Sequence, residues 1–336
     1  MNALSVGDIP SFVQTYLGGQ GESVLACERI LQGGNNRAYR LRTENGSYFL
    51  KAYFRHPEDT RDRLRAEYDF LEFCDELHIG AVPKPLTFDT AAGMGLYSWI
   101  EGEPVRKPVT AADVAAACGL LRDLARCSSD ARAARLLPAA DACLEARDHL
   151  LLAERRVAGL RAALAGCEAV SLGGLARDFV ETRLVPALEE AARHAGAFLA
   201  ARRPGGRRTL VSPSDFGFHN ALRTEDGLVF VDFEYAGRDD PAKAVCDFLC
   251  QPEIPVPEAS LPALTAALEA FDGAALLERV NAFLPLHRIK WCCILLNDFR
   301  RLDAARRAFA NAGMRGRERL EGQLAKARRY FAAWVR

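Results

Sequence analysis

Strand-forming patterns in this chain are confined to its first hundred residues and to one short stretch between residues 209 and 233, and the rest has helical spacing. Segments 23–30 and 38–42 alternate as strands, Glu44-Asn45-Gly46 is a hairpin turn, and 47–54 continues the sheet. Pro57 opens a helix that runs to about His78 and stops at Gly80. Two more short strands follow at 86–88 and 96–100, and the proline-rich segment 101–109 reads as a linker. Thr110 with Asp113 three residues on is a capping pattern, and from there to about Ala201 the chain is rich in Ala, Leu and Arg. Strand character returns at 209–212 and 227–233, and helices resume at Pro241. The expected fold class is α+β in two lobes: a β-rich lobe over 1–101, and a larger helical lobe with a short β insertion over 102–336. The cleft between such lobes is where a ligand is expected.

Composition narrows the function. Of 336 residues 49% are hydrophobic and 26% charged, which excludes a disordered chain. Lys plus Arg number 44 and Asp plus Glu 44, so no global field exists to hold a nucleic acid or an acidic membrane surface. The first thirty residues lack the basic start and apolar core of a secretion signal, since Asp8 and Pro10 fall inside that region. No apolar run approaches the roughly 18 residues needed to cross a bilayer, and a soluble cytoplasmic protein is expected. Ten cysteines in that compartment read as reduced, mostly buried groups, with no zinc-type spacing among them.

Three patterns carry chemistry. Along the helix after Pro57, about 100° per residue places Leu64, Tyr68, Phe70, Leu71, Cys74 and Leu77 on one face with Glu67 in its middle, while Asp69, Glu72 and Glu76 point away. A carboxylate forced inward needs a cation, because an unpaired buried charge costs several kcal/mol. Lys51, which interrupts the apolar strand 48–54, is the natural partner. Upstream, Gly33, Gly34, Asn35 and Asn36 sit between two strands, where glycines let backbone amides approach phosphate oxygens; a plain hairpin loop has the same look.

The strongest pattern is VSPSDFGFHNAL followed by GLVFVDFEYAG. Asp215 and Asn220 lie five apart in a loop, and twelve residues later the apolar strand 228–231 ends in Asp232, with Glu234 expected on the same side. Carboxylate and carboxamide oxygens suit magnesium, which leaves places for water and phosphates. The remaining Asp can take a proton from an attacking hydroxyl. Turn residues and a strand end explain each group singly but not their combination.

In this order the pieces resemble the aminoglycoside phosphotransferase and choline kinase family, small-molecule kinases with a protein-kinase-like fold, over roughly residues 8–330. The resemblance implies ATP and Mg as cofactors and a small-molecule acceptor. It implies that Gly33, Gly34 and Asn36 cover the nucleotide phosphates, that Lys51 is held by Glu67, and that segment 96–102, with Ser98, Trp99 and Ile100, meets adenine. Asp215 would be the catalytic base, Asn220 and Asp232 the metal ligands, and Glu234 a second-metal or acceptor-facing group. Asp247 matches a structural aspartate. One departure stands out: the position two before the base, commonly His in the family, is Pro213.

For the acceptor, HRIKWCCILLNDFRR places polar groups on an apolar helix. Trp291 offers a π face to an ammonium group and Asp298 a carboxylate, with His219 beside the catalytic loop as a further contact. His287, Arg288, Lys290, Asn297 and Arg300 belong to the same stretch, and its basic residues fit a sugar or hydroxy acid at least as well as an aminoglycoside. The sequence leaves the acceptor open among aminoglycoside, choline-like, sugar and hydroxy-amino-acid classes. The alternative is a nucleotide-binding pseudokinase or regulatory module without turnover, for which Pro213 is the mark. A protein kinase is disfavoured by the short stretch between Asp232 and Pro241, which leaves no room for an activation segment. Oligomeric state is not legible.

Overall fold

Thr43 N donates to Gly46 O at 2.9 Å across the expected turn, and the hairpin it closes is the centre of the amino-terminal sheet. The structure is a computed structural model that describes residues 4–31, 34–201, 208–271, 274–310 and 316–335. In chain order the first part comprises α1 (Ser11–Gly19), β1 (Ala26–Ile30), β2 (Arg37–Arg42), β3 (Ser47–Ala52), α2 (Arg63–Glu76), β4 (Pro85–Asp89) and β5 (Met94–Ser98). The five strands form one antiparallel sheet in the order β1-β2-β3-β5-β4. Alternation along β3 sends Leu50 into a cluster with Val13 and Leu17 of α1 and with Tyr39, Leu41 and Leu96. Lys51 therefore faces the opposite side.

The helix expected from Pro57 begins later. Residues 55–62 are irregular, and α2 starts at Arg63, where the Asp62 side chain accepts from Arg65 N at 3.0 Å. Pro57 has the φ of a helix start, but the side-chain oxygen that satisfies the first free amides comes from Asp62. Helix α1 has Phe12, Val13, Tyr16 and Leu17 at helical spacing but only nine residues, two of them its closing glycines; its buried residues are Val13 and Leu17.

The remainder runs β6 (Glu103–Pro104), α3 (Ala111–Cys127), α4 (Asp148–Leu164), α5 (Leu172–Phe179), α6 (Val185–Ala200), β7 (Leu210–Ser212), β8 (Ala221–Thr224), β9 (Gly227–Phe230), β10 (Gly237–Asp239), α7 (Pro241–Cys250), α8 (Leu261–Ala267), α9 (Ala274–Leu295), α10 (Arg301–Ala310) and α11 (Gly316–Trp334). Thr110 and Asp113 form the capping box of α3, with Asp113 N donating to Thr110 Oγ1 at 3.2 Å and Thr110 N to Asp113 Oδ2 at 2.9 Å. Helix α9 is the central post of this part, packed against α4, α6, α7 and α11. The linker contributes β6 to a three-stranded sheet with β8 and β9. Strands β8 and β10 went unread because four and three residues are too short to show alternation. The cysteines among the described residues are free thiols, and no helix there is long and apolar enough to cross a membrane.

Candidate active site

Strand β3, helix α2 and the segment after β9 meet at one ammonium group. Lys51 Nζ lies 2.5 Å from Glu67 Oε2 and 2.5 Å from Asp232 Oδ1. Lys51 and Glu67 are each only 4% exposed, so this is a buried ion pair and its remaining lone pairs need donors. Tyr53 Oη supplies one to Glu67 at 2.7 Å and Phe233 N another at 3.2 Å; Tyr53 Oη is itself 2.7 Å from Tyr97 Oη. Burial pushes the Glu67 carboxyl above its usual range although Lys51 pulls against it, and burial does the same to Asp232. Burial also opposes the charge on Lys51, but Asp232, Glu67 and Glu234 outweigh it and hold its pKa well above normal. One ammonium thus serves three carboxylates, a site with room for more positive charge.

Asp232 reaches this position through a backbone turn. Strand β9 ends at Phe230, and Asp232 has φ +68°, in the left-handed region. Period-two alternation no longer holds there, which corrects the expectation that Asp232 and Glu234 share a side. Glu234 is fully buried and turns to the loop before β2, accepting from Asn35 Nδ2 at 3.0 Å and Asn36 Nδ2 at 2.7 Å. Arg63 Nη1 lies 3.7 Å away. Burial opposes the Glu234 charge, but Lys51, Arg63 and the two amides bring its pKa below normal. Its carboxylate is therefore spent on the protein, against its reading as a metal- or acceptor-facing group. Asn36 is spent likewise, since its Oδ1 accepts from Phe54 N at 3.1 Å. Its side chain thus fastens the loop to Glu234 and to Phe54. Gly34 stands against the Arg307 guanidinium, and a Cβ there would fall 1.7 Å from Nη1. Gly33 lies outside the described residues.

The loop of Asp215 and Asn220 is held from within. Asn220 Nδ2 donates to Asp215 O at 3.1 Å, and Val231 N donates to Asn220 O at 2.9 Å, tying the loop to the segment between β9 and Asp232. Ser214 is left-handed at φ +62°, with its N donating to Ser212 Oγ at 3.1 Å. Phe216 packs its ring 4.7 Å from that of Phe230 and 4.9 Å from that of Phe248. These contacts support the loop where Pro213 offers no imidazole. His219 Nε2 lies 3.5 Å from Asp215 Oδ1; burial lowers its basicity, but Asp215 outweighs burial and raises it overall. Asn220 Oδ1 and Asp232 Oδ2 make no protein hydrogen bond among the described residues.

Other expected residues are placed as follows. Ser98 ends β5, with its Oγ accepting from Lys84 N at 2.9 Å. Trp99 donates through Nε1 to Glu101 at 2.8 Å and stacks under Arg40, and Ile100 is half-buried beside it. Asp298 is a correction: it is buried and held by Arg319 at 3.0 Å and Arg307 at 3.6 Å, so its charge is already answered. Trp291 lies in the wall of a cavity that Asp215 also lines. Its Nε1 donates to Asp247 at 3.0 Å, and Lys290 Nζ sits 5.3 Å from its ring centroid.

Asp247 is the hub beneath these groups. It pairs with Lys290, with Lys243 at 3.2 Å and with His287 Nδ1 at 3.3 Å. Burial opposes its charge, yet Lys290 and Lys243 hold it well below the usual carboxylate range. Above it opens a cavity of about 680 Å3, reaching from Asn35 and Asp215 to α4, α9 and α10. Sequence reasoning missed Arg61, Arg155 and Arg156 in its wall. No group of three His, Cys, Asp or Glu side chains among the described residues could hold a metal.

A buried Lys51-Glu67 pair that Asp232 joins thus lies beside a loop whose Asp215 opens on the cavity. The chain matches the phosphotransferase enzyme family over residues 26–283, and it belongs to that family. Among curated proteins no relative matches the sequence. Among solved structures it is similar to a spectinomycin phosphotransferase crystallised with ADP and spectinomycin, with TM-score 0.62 at 11% identity over 96% of this chain and 99% of that one. It is also similar to a choline/ethanolamine kinase family protein from Mesorhizobium loti, with TM-score 0.57 at 17% identity over 91% and 87%. A choline kinase from Streptococcus pneumoniae matches with TM-score 0.57 at 14% identity over 96% and 98%. The shared architecture is the two-lobed protein-kinase-like fold.

Proposed function

We propose that the protein is an ATP-dependent phosphotransferase that moves the γ-phosphoryl group to a hydroxyl of a small molecule. The observation that carries this reading is the convergence of Lys51, Glu67 and Asp232 within 2.5 Å contacts beside a loop whose Asp215 lines the large cavity. The lobe over 1–101 would take the nucleotide, with 96–102 against adenine, and the part over 102–336 would take the acceptor. Lys51, oriented by Glu67, would contact the α and β phosphates, leaving Asp232 when they arrive. Asp215 would orient the acceptor hydroxyl and accept its proton as the new P–O bond forms and ADP departs.

The donor set fits magnesium: Asp232 and Asn220 offer hard oxygens, and two protein ligands are what that ion ordinarily takes when phosphates supply others. Bound there, magnesium would neutralise charge on the phosphates. The test is magnesium-dependent ADP release from ATP against aminoglycosides, choline, ethanolamine, homoserine and sugars, with Asp215→Asn as control. Turnover with one acceptor, lost in the control, supports the reading; equal turnover in both overturns the role of Asp215.

A further inference from the structure

The cavity is unusual in its charge. Nine Lys or Arg side chains line it against five carboxylates, and four of those carboxylates are already answered. Asp59 accepts from Arg63 at 3.0 Å and from Arg306 at 3.2 Å. Asp141 is paired with Arg156, Asp247 with two lysines, and Asp303 with Arg306 at 3.3 Å. The fifth is Asp215. No lining carboxylate apart from it is left for an acceptor's ammonium group.

Cations, by contrast, are in surplus. Arg61 donates to three backbone carbonyls, of Glu234 at 3.0 Å, Pro138 at 3.1 Å and Ala236 at 2.8 Å, which fixes its guanidinium without neutralising it. Arg155 is exposed at the cavity wall. Neither forms an ion pair with a carboxylate among the described residues. Buried N–H groups at Arg63 Nη1 and Arg306 Nε also lack a hydrogen-bond acceptor, and Arg63 is only 5% exposed. Neither Lys51 nor Asp232 lines this cavity, although Asn35 of the loop before β2 does, so the surplus adjoins the nucleotide side without including the Lys51 site. Buried donors and unpaired guanidiniums favour a ligand that brings its own negative charge and acceptor oxygens.

The geometry points to an acceptor that is a small hydroxylated anion, its carboxylate or phosphate held by the arginines around Arg61 and Arg155 and its hydroxyl presented to Asp215. This deepens the phosphotransferase reading and rests on it. A cationic acceptor such as choline or an aminoglycoside would enter against repulsion.

The test separates the two claims. The full-length chain, saturated with magnesium and a non-hydrolysable ATP analogue, is titrated calorimetrically with glucose, glucosamine, glucuronate and glucose 6-phosphate, and with glycerol, ethanolamine, glycerate and glycerol 3-phosphate. An anionic member of at least one set binds about tenfold or more tighter than its neutral counterpart, and Arg155→Glu, a surface change, removes that preference. The glucuronate and glycerate arms against the phosphate arms tell which anion is read. Equal affinity across the charges, preference for the amines, or an Arg155→Glu variant that keeps the preference overturns the proposal. Anion preference lost in Arg155→Glu, with no ADP release from ATP, would sustain the pocket assignment while defeating the kinase reading.

Discussion

The Lys51-Glu67 pair invites a double-mutant cycle. Glu67 takes the Lys51 ammonium at 2.5 Å and the Tyr53 hydroxyl at 2.7 Å, both in the interior. Removing one member of a buried pair costs about 3–5 kcal/mol, because the other charge is left unanswered. Glu67→Leu should reach the lower part of that range, since Asp232 still contacts Lys51 at 2.5 Å. Lys51→Met should cost a similar amount by leaving Glu67 and Asp232 without their cation. The double variant restores neutrality to the α2 side of the site, so its loss should be smaller than the sum by about 1–3 kcal/mol. Urea unfolding of the four proteins with coincident fluorescence and circular dichroism measures the cycle. Phosphoryl transfer should be lost in all three variants, including the stable double. Additive stability losses would refute the pairing, and a double variant that still transfers phosphate would refute its role.

Other consequences are open to direct measurement. Asp215→Asn should lower turnover by about 10²–10⁴-fold while leaving the melting temperature and ATP affinity near wild type, as calorimetry would show; an unchanged rate would remove the base. Asn36→Ala deprives buried Glu234 of a donor at 2.7 Å and should cost about 1–3 kcal/mol, read by urea unfolding; no loss would mean the loop is not fastened there. His287, brought down to about pKa 3 mainly by burial, stays neutral in the folded state until the pH nears that value, whereas the unfolded chain takes up the proton as pH falls through about 6.5. Its contribution is therefore fully present above about pH 6.5 and is lost as pH falls toward 3. His287→Asn should flatten the decline in stability from pH 7 to 4, and an identical slope would contradict the assignment.

The parts of the site legible in the sequence are those where charge breaks an apolar pattern. Glu67 interrupts a helix face, Lys51 a strand, and Asp232 ends an apolar run; each needs a reason to be there, and the structure brings the three together. Pairing that depends on backbone exceptions was not legible. The positive φ of Asp232 redirects Glu234 toward Asn35 and Asn36, and no periodicity rule reports such a turn. The role expected of Asp298 failed for a related reason, since its partners Arg307 and Arg319 come from α10 and α11. The charge of the cavity is likewise a sum over α2, α4, α7, α9, α10 and the loops between elements, although the net charge of the chain is zero.

The central claim is that this site transfers a phosphoryl group. Single-turnover reaction of the protein with γ-labelled ATP, magnesium and an acceptor found in the panel, quenched and separated, measures it directly. Label should move from ATP into an acid-stable phosphate ester with the wild-type chain and remain in ATP with Asp215→Asn. Label appearing only as inorganic phosphate, or moving equally in both proteins, would contradict the account.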